Sequence, residues 1–367
     1  MTNNQQPTTT SPNESPSMRR ISLLLVTISL SMAVIFLSCG PIESVINAPQ
    51  SDWQLLAVSP ERPSRLVVFN QPSNTVAENN AFSVLGASGI GGRVSKIVTF
   101  RENIYVFLPD ERRIEVLSSA TYARRATLDF SASGRVPADI AFANATTGYI
   151  AFSEGSSVGV VDITVFRVVA TIDVGQGPVD LETQGNVMYC ALQRENTIAI
   201  IDSRTNAVTA KIPVPPAPTF MGVSVNGRTL VVVSAGGGKF DNSPRSAGRV
   251  AFVDIASRSI RAQSVLTNTA DSTNDVPRGF AITELDFAFV PMNSSLLRLD
   301  TRNFVRSTLN TNVNYRNIAY NPIRSELLIM AADSTGTGAS CLVADPQTGN
   351  ISSTIRLPFQ ATVLNSR

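Results

Sequence analysis

Val158-Gly-Val-Val-Asp162, a turn, and Phe166-Arg-Val-Val-Ala-Thr-Ile-Asp-Val174 make up a phrase that the chain repeats 40 residues later. It returns as Thr197-Ile-Ala-Ile-Ile-Asp202, a Thr205-Asn206 turn, and Ala207-Val-Thr-Ala-Lys-Ile-Pro-Val214. Between the two copies lie Gly177-Pro178-Val-Asp-Leu181 and Met188-Tyr-Cys-Ala-Leu192. Short runs rich in Val, Ile and Thr, punctuated by Gly, Pro, Asn and Asp, read as strands joined by tight turns. A unit of about 40 residues holding four of them has the length of one β-propeller blade.

The Asp that closes the third strand of the phrase can be followed along the chain as Asp162, Asp202, Asp254, Asp300 and Asp345. Upstream, Ile114-Glu-Val-Leu-Ser118 and Arg65-Leu-Val-Val-Phe-Asn70 hold the same place, which gives seven units. First strands open on a turn residue: Pro137-Ala-Asp-Ile-Ala-Phe142, Pro178-Val-Asp-Leu181, Pro218-Thr-Phe-Met-Gly222 and Pro277-Arg-Gly-Phe-Ala281. Val94-Ser-Lys-Ile-Val98 and Tyr315-Arg-Asn-Ile-Ala319 are degenerate copies, and the seventh stands in the tail as Pro358-Phe-Gln-Ala-Thr-Val-Leu364. Leu55-Leu-Ala-Val-Ser59 reads as a second strand with no first strand before it, so the tail strand is expected to become the innermost strand of the first blade. Such closure removes the open edges of the ring.

The expected fold is therefore all-β, a seven-bladed β-propeller of four-stranded antiparallel blades closed by the C-terminal strand. The expected blades are 53–87 plus 358–364, then 94–130, 136–174, 178–214, 218–266, 277–309 and 315–357. Rings of six or eight blades are the competing counts. A two-sheet sandwich does not require a rhythm near 45 residues.

The blade phrase is similar to the YVTN-type β-propeller repeat family, most clearly over Met188 to Val214 and Gly148-Tyr-Ile-Ala-Phe152 through Val174. This resemblance implies an exported or surface-borne scaffold and brings no activity with it.

Composition narrows the chemistry. The 367 residues are 43% hydrophobic and 16% charged, with 22 Gly and 21 Pro, as suits a large turn-dense core. A net charge of +2 without a basic block lacks the electrostatic footprint of a nucleic-acid binder. The chain has no His, which removes His-ligated metals and Ser-His-Asp or Cys-His nucleophile systems. No cofactor, metal site or catalytic residue is expected. Cys190 and Cys341 fall in apolar strands of different blades and read as buried, inert thiols.

Residues 1–38 read as a polar n-region and signal peptide. Met18-Arg19-Arg20 precede the apolar run Ile21 to Leu37, which ends in Ser38-Cys39-Gly40. This resembles a bacterial lipoprotein signal, which implies lipidation at Cys39 and a membrane attachment. Gly40 in place of Asp, by the same resemblance, favours an outer-membrane or periplasm-facing position in the cell envelope. A transmembrane anchor and another exported form are the alternatives. Residues 39–52 would be a tether and 53–367 the propeller.

Three insertions, 235–249, 267–276 and 333–338, fall in connections that emerge on one face of a propeller, while the opposite turns stay short. Binding sites are often grafted on such loops, and Lys239, Arg245 and Arg249 are its basic candidates. Gly236-Gly-Gly238 reads as a flexible linker. Asp271 and Asp275 match no calcium-loop spacing.

A second set of candidates faces the central channel. Lys96, Asp139, Asp180, Asn317 and Gln360 stand two residues after the strand opening, Arg278 and Arg316 one residue after it. Such a collar suits a small anion, a sugar or a peptide carboxylate. The five repeat Asp residues read instead as turn-capping acceptors, and Glu111, Glu154 and Glu195 as solvated turn residues. The sequence favours a binding or scaffolding module for a protein or glycan partner, either as a monomeric ring or as a subunit of an envelope assembly. The alternative is a propeller enzyme, lactonase-like or oxidoreductase-like, that uses channel carboxylates.

Overall fold

The structure is a computed structural model that describes residues 53–59, 63–71, 73–83, 90–240, 244–266, 276–310, 313–332, 338–357, 359–361 and 363–366. Cys39, the proposed leader and tether, the 267–275 insertion and 333–337 lie outside the described residues.

Blade one takes β1 (Trp53–Val58), β2 (Leu66–Gln71) and β3 (Thr75–Glu78) from the start of the chain. Blade two is β4 (Lys96–Phe100), β5 (Asn103–Leu108), β6 (Arg113–Ser118) and β7 (Arg124–Asp129). Blade three is β8 (Pro137–Phe142), β9 (Thr147–Phe152), β10 (Ser157–Asp162) and β11 (Arg167–Asp173). Blade four is β12 (Pro178–Gln184), β13 (Val187–Leu192), β14 (Thr197–Asp202) and β15 (Ala207–Pro213). Blade five is β16 (Pro218–Val223), β17 (Thr229–Ser234), β18 (Arg249–Asp254) and β19 (Ser259–Val265). Blade six is β20 (Ala281–Ile282), β21 (Phe287–Pro291), β22 (Ser295–Asp300) and β23 (Val305–Asn310). Blade seven is β24 (Tyr315–Asn321), β25 (Glu326–Ala332), β26 (Ala339–Ala344) and β27 (Ile351–Leu357), and β28 (Val363–Ser366) returns to blade one.

These strands form seven four-stranded antiparallel sheets, the first in the order β28-β1-β2-β3. The fold is a seven-bladed propeller, closed as expected by the C-terminal strand.

The closing register differs from expectation. The tail pairs over Val363–Ser366, with Val58 opposite Val363 and Leu55 opposite Ser366, rather than over 358–364. The chain needs the preceding residues to cross from blade seven. Phe359 and Ala361 spend them in the apolar layer shared by blades seven and one, beside Trp53. Strand β20 is also shorter than its opening Pro277 suggests, although Arg278 N–H still donates to the Pro291 carbonyl at 2.8 Å.

The second strand of each blade is buried on both sides. In β13, Met188, Cys190 and Leu192 pack on blade three, while Tyr189 and Ala191 pack on blade five. This is why the strands read as unbroken apolar runs. The core is thus a set of layers between neighbouring blades, one at each of the seven junctions of the ring. A fully buried aromatic such as Phe252 holds one such layer, and truncating a side chain of this kind to Ala costs about 3–5 kcal/mol. Fourth strands form the rim, and β27 leaves its first four residues exposed.

The repeat Asp residues cap turns. Asp162 accepts from Thr164 N–H at 2.9 Å, Asp202 from Arg204 N–H at 2.9 Å and Asp345 from Thr348 N–H at 2.7 Å. Hydrogen bonds from the Arg204 side chain and backbone hold the Asp202 carboxyl down at about 2. Cys190 and Cys341 are free and buried. Burial pushes both thiols up, that of Cys341 to about 12, which keeps them as unreactive thiols.

Candidate functional site in the central channel

First strands line the axis of the ring, and a recurrent irregularity aims their side chains. The pairing of first and second strands slips between Pro137 and Asp139, Pro178 and Asp180, Pro218 and Phe220, and Tyr315 and Asn317. A bulge at the same point of four blades re-aims the residues beside it. The result is an axial cavity of about 540 Å³. Its polar lining includes Lys96, Asp139, Asp180, Glu182, Arg278, Asn317 and Asn365.

Two of the sequence candidates for the channel are not part of it. Arg316 is exposed, and the slip between Tyr315 and Asn317 leaves Asn317 rather than Arg316 in the lining. Gln360 precedes the displaced closing strand, and Asn365 lines the cavity in its place. Lys239 and Arg249 are half-buried and Arg245 is exposed, and none of the three lines the cavity.

The polar residues join blade to blade. The Asn365 side-chain amide donates to the Ile97 carbonyl at 3.0 Å, which ties blade one to blade two. The Lys96 ammonium donates to Asp139 Oδ1 and stands 3.7 Å from Asp180 Oδ1. Leu181 N–H donates to Asp139 Oδ2 at 2.9 Å, and Met221 N–H donates to Asp180 Oδ2 at 2.8 Å. An arc of hydrogen bonds therefore runs from blade one to blade five, charge-assisted from Lys96 of blade two onward. In blade five Phe220 takes the slot and the series stops. Gly222 then leaves room for Phe280 of blade six, whose ring would lie 2.6 Å from a Cβ at that position. One side of the channel is acidic and the other is apolar, with Arg278 and Asn317 beyond it.

Glu182 was not evident from the opening motif, although its signal is simple. It follows Asp180 by two residues on β12 and so shares its face. Burial, with Asp139 nearby, pushes its carboxyl up to about 7, while Lys96 and the Val223 amide pull the other way. Burial, then the Asp139 charge, drives the Asp180 carboxyl well above the usual range. Burial alone would lower the Lys96 ammonium, but Asp139 and Asp180 outweigh it and raise it. The Lys96 side chain keeps 38% of its exposure, so the cluster meets channel water. Among the described residues, no group of three or more His, Cys, Asp or Glu is arranged to hold a metal ion.

The 235–248 connection is anchored at its base. Gly236 N–H donates to the Pro216 carbonyl at 3.0 Å, and Gly237 N–H donates to Ser246 Oγ at 2.8 Å. Gly236 has φ +96°, and a Cβ there would lie 2.2 Å from the Ser246 carbonyl oxygen. The glycine run is therefore a fixed crossing, not a loose linker. Strands alternate in direction, so this connection emerges on the face where the first strands begin, the end of those strands at which Lys96, Asp139, Asp180 and Asn317 stand. Glu195 is likewise engaged rather than only solvated: it pairs with Lys211 at 2.7 Å and accepts from Gln176 N–H at 2.6 Å.

No family model matches the chain, and no curated protein sequence does. Solved structures share its fold. A chain of the hydrazine synthase of Kuenenia stuttgartiensis aligns with TM-score 0.55 and 19% identity, over 69% of this chain and 77% of that one. A chain of a mitotic checkpoint complex aligns with TM-score 0.58 and 11% identity, over 89% of this chain and 86% of that one. At these identities the likeness is one of architecture.

Proposed function

We propose that the chain is an exported YVTN-type propeller, lipid-anchored through Cys39 in the bacterial cell envelope, that acts as a binding or scaffolding module. Its working face is the one that carries the channel mouth and the 235–248 insertion, and its partner is an envelope protein or a glycan. The observation that supports this reading is the asymmetry of the ring. The anchored insertion and the channel residues Lys96, Asp139, Asp180 and Asn317 stand toward one face, where the first strands begin, whereas the opposite turns are short and capped internally. Loops held by a rigid scaffold are the usual seat of recognition.

Cross-linking of the lipidated protein in its native envelope, beside a variant shortened through 235–249 and 267–276, tests the face. Loss of one or more neighbours is expected, and retention of all of them rejects it. Cys39→Ser should abolish lipid labelling, and continued labelling rejects the anchor. A second reading, a propeller enzyme, draws on Glu182, because a carboxyl near 7 in a cavity suits general acid–base work. A chemical step lost in Glu182→Gln, with the cross-linked neighbours retained, would favour it.

A further inference from the structure

The channel wall carries three carboxyls beside one ammonium, two of those carboxyls pushed toward their neutral forms by burial, and a further cation on blade six. Asp139, Asp180 and Glu182 face a single ammonium, that of Lys96. The amides of Leu181, Met221 and Val223 answer Asp139, Asp180 and Glu182 in turn, but the Lys96 ammonium pairs only with the two Asp residues, so among the described residues Glu182 has no ion pair. Blade six stands two blades on from blade four, which carries Asp180 and Glu182, with blade five between them. There Arg278 lines the cavity with an exposed guanidinium that has no hydrogen-bond or ion-pair partner among the described residues. Phe220, Phe280 and Ile282 line the cavity on the neighbouring blades five and six.

We infer that this channel binds a small zwitterion, a free amino acid or short peptide, with its ammonium at the Asp180–Glu182 wall, its carboxylate at Arg278 and its apolar side chain against Phe220 and Phe280. The cavity of about 540 Å³ lies in the range of small-ligand sites. Other ligand classes leave part of the site unanswered. A phosphate or dianion would meet three carboxyls. A divalent metal would have to displace the Lys96 ammonium from between Asp139 and Asp180. A simple amine leaves Arg278 unpaired, and a simple carboxylate brings no cation to the buried carboxyls of Asp180 and Glu182. Only a molecule with both charges and an apolar body satisfies all three surfaces, and charge-assisted hydrogen bonds are the strongest a small ligand can make. The site does not depend on where the chain is anchored.

Calorimetry on the full-length protein in detergent provides the test, with L-leucine, dileucine and trileucine as probes, each beside its N-acetylated and C-amidated form. At least one free probe should bind at neutral pH, and either modification should weaken it by about tenfold or more, the loss expected for a charged hydrogen bond. Arg278→Gln should weaken the free probe similarly and leave its amidated form unchanged. Glu182→Gln should weaken the free probe and leave its acetylated form unchanged. Arg278 has no part in the blade-joining arc, and Glu182 meets only the Val223 amide of blade five, which a Gln oxygen can also accept from. Melting curves of both variants check that the ring is intact. Failure of all three probes to bind overturns the inference, as does binding that is indifferent to acetylation or amidation.

Discussion

The phenol of Tyr149, in the second strand of blade three, donates a hydrogen bond to Oδ1 of Asn206, in the last turn of blade four, at 2.6 Å. It also lies 3.1 Å from the Ser203 carbonyl, to which it can donate in turn. Asn206 holds φ +54°, a conformation Asn tolerates better than most residues. Two elements of the repeat phrase, the strand tyrosine and the turn asparagine, therefore meet across a blade junction. Tyr149→Phe should lower stability by about 1 kcal/mol, the net worth of one hydrogen bond, because the exposed Asn206 can turn its oxygen to water. Denaturant unfolding measures it, and an unchanged midpoint would show that the contact is not formed.

Closure depends on the last strand. Removing 358–367 takes away β28, the Asn365 link to Ile97 and the Phe359 packing beside Trp53. The ring should then lose several kcal/mol, on the scale of burying two or three large apolar side chains, and its thermal unfolding should become broad. Asn365→Ala alone should cost about 1 kcal/mol. A cooperative melt at the original temperature after the deletion would contradict this closure.

Glu182 makes stability depend on pH. Its carboxyl is at about 7 in the fold against an ordinary value of 4.5, so the folded chain binds more protons than the unfolded chain between those values. Stability must then fall as pH rises through that window. Asp180, also raised by burial, acts in the same direction. Glu182→Gln should remove much of this slope and be the more stable form at pH 8, by an amount on the order of 2 kcal/mol. Denaturation at pH 5, 6.5 and 8 decides it. Parallel profiles for the two proteins would show that the group is not buried as described.

Gly236 and Gly185 separate strain from collision. Both have positive φ, but a Cβ at Gly185 meets nothing within 4 Å, whereas one at Gly236 meets the Ser246 carbonyl at 2.2 Å. Gly185→Asn should be nearly neutral, since Asn adopts φ near +59°. Gly236→Ala should cost about 2 kcal/mol or more and loosen the 235–248 insertion. Equal melting temperatures for the two variants would contradict the fixed crossing.

The phrase around Asp162 and Asp202 was enough to give the strands, their turns and the count of blades, because those depend on local periodicity and on turn chemistry within a few residues. It also gave the closing of the ring by the tail, since a first blade without a first strand has only one donor for it. The register of that closure lay beyond the sequence. Phe359 and Ala361 are spent in a layer between blades seven and one, and only packing shows that Asn365 rather than Gln360 reaches the axis. The same holds for the channel. Its position could be read from the strand openings, but a bulge at Tyr315–Asn317 leaves Arg316 out of the cavity. Arg278 of blade six, whose first strand carries no such slip, lines it. Glu182 gains its character from burial and from Asp139, which the neighbouring blade three brings to it. Strand formation is settled by neighbours in sequence. The charge of the channel is set by neighbours in space, where desolvation depends on what the other blades bring to the axis.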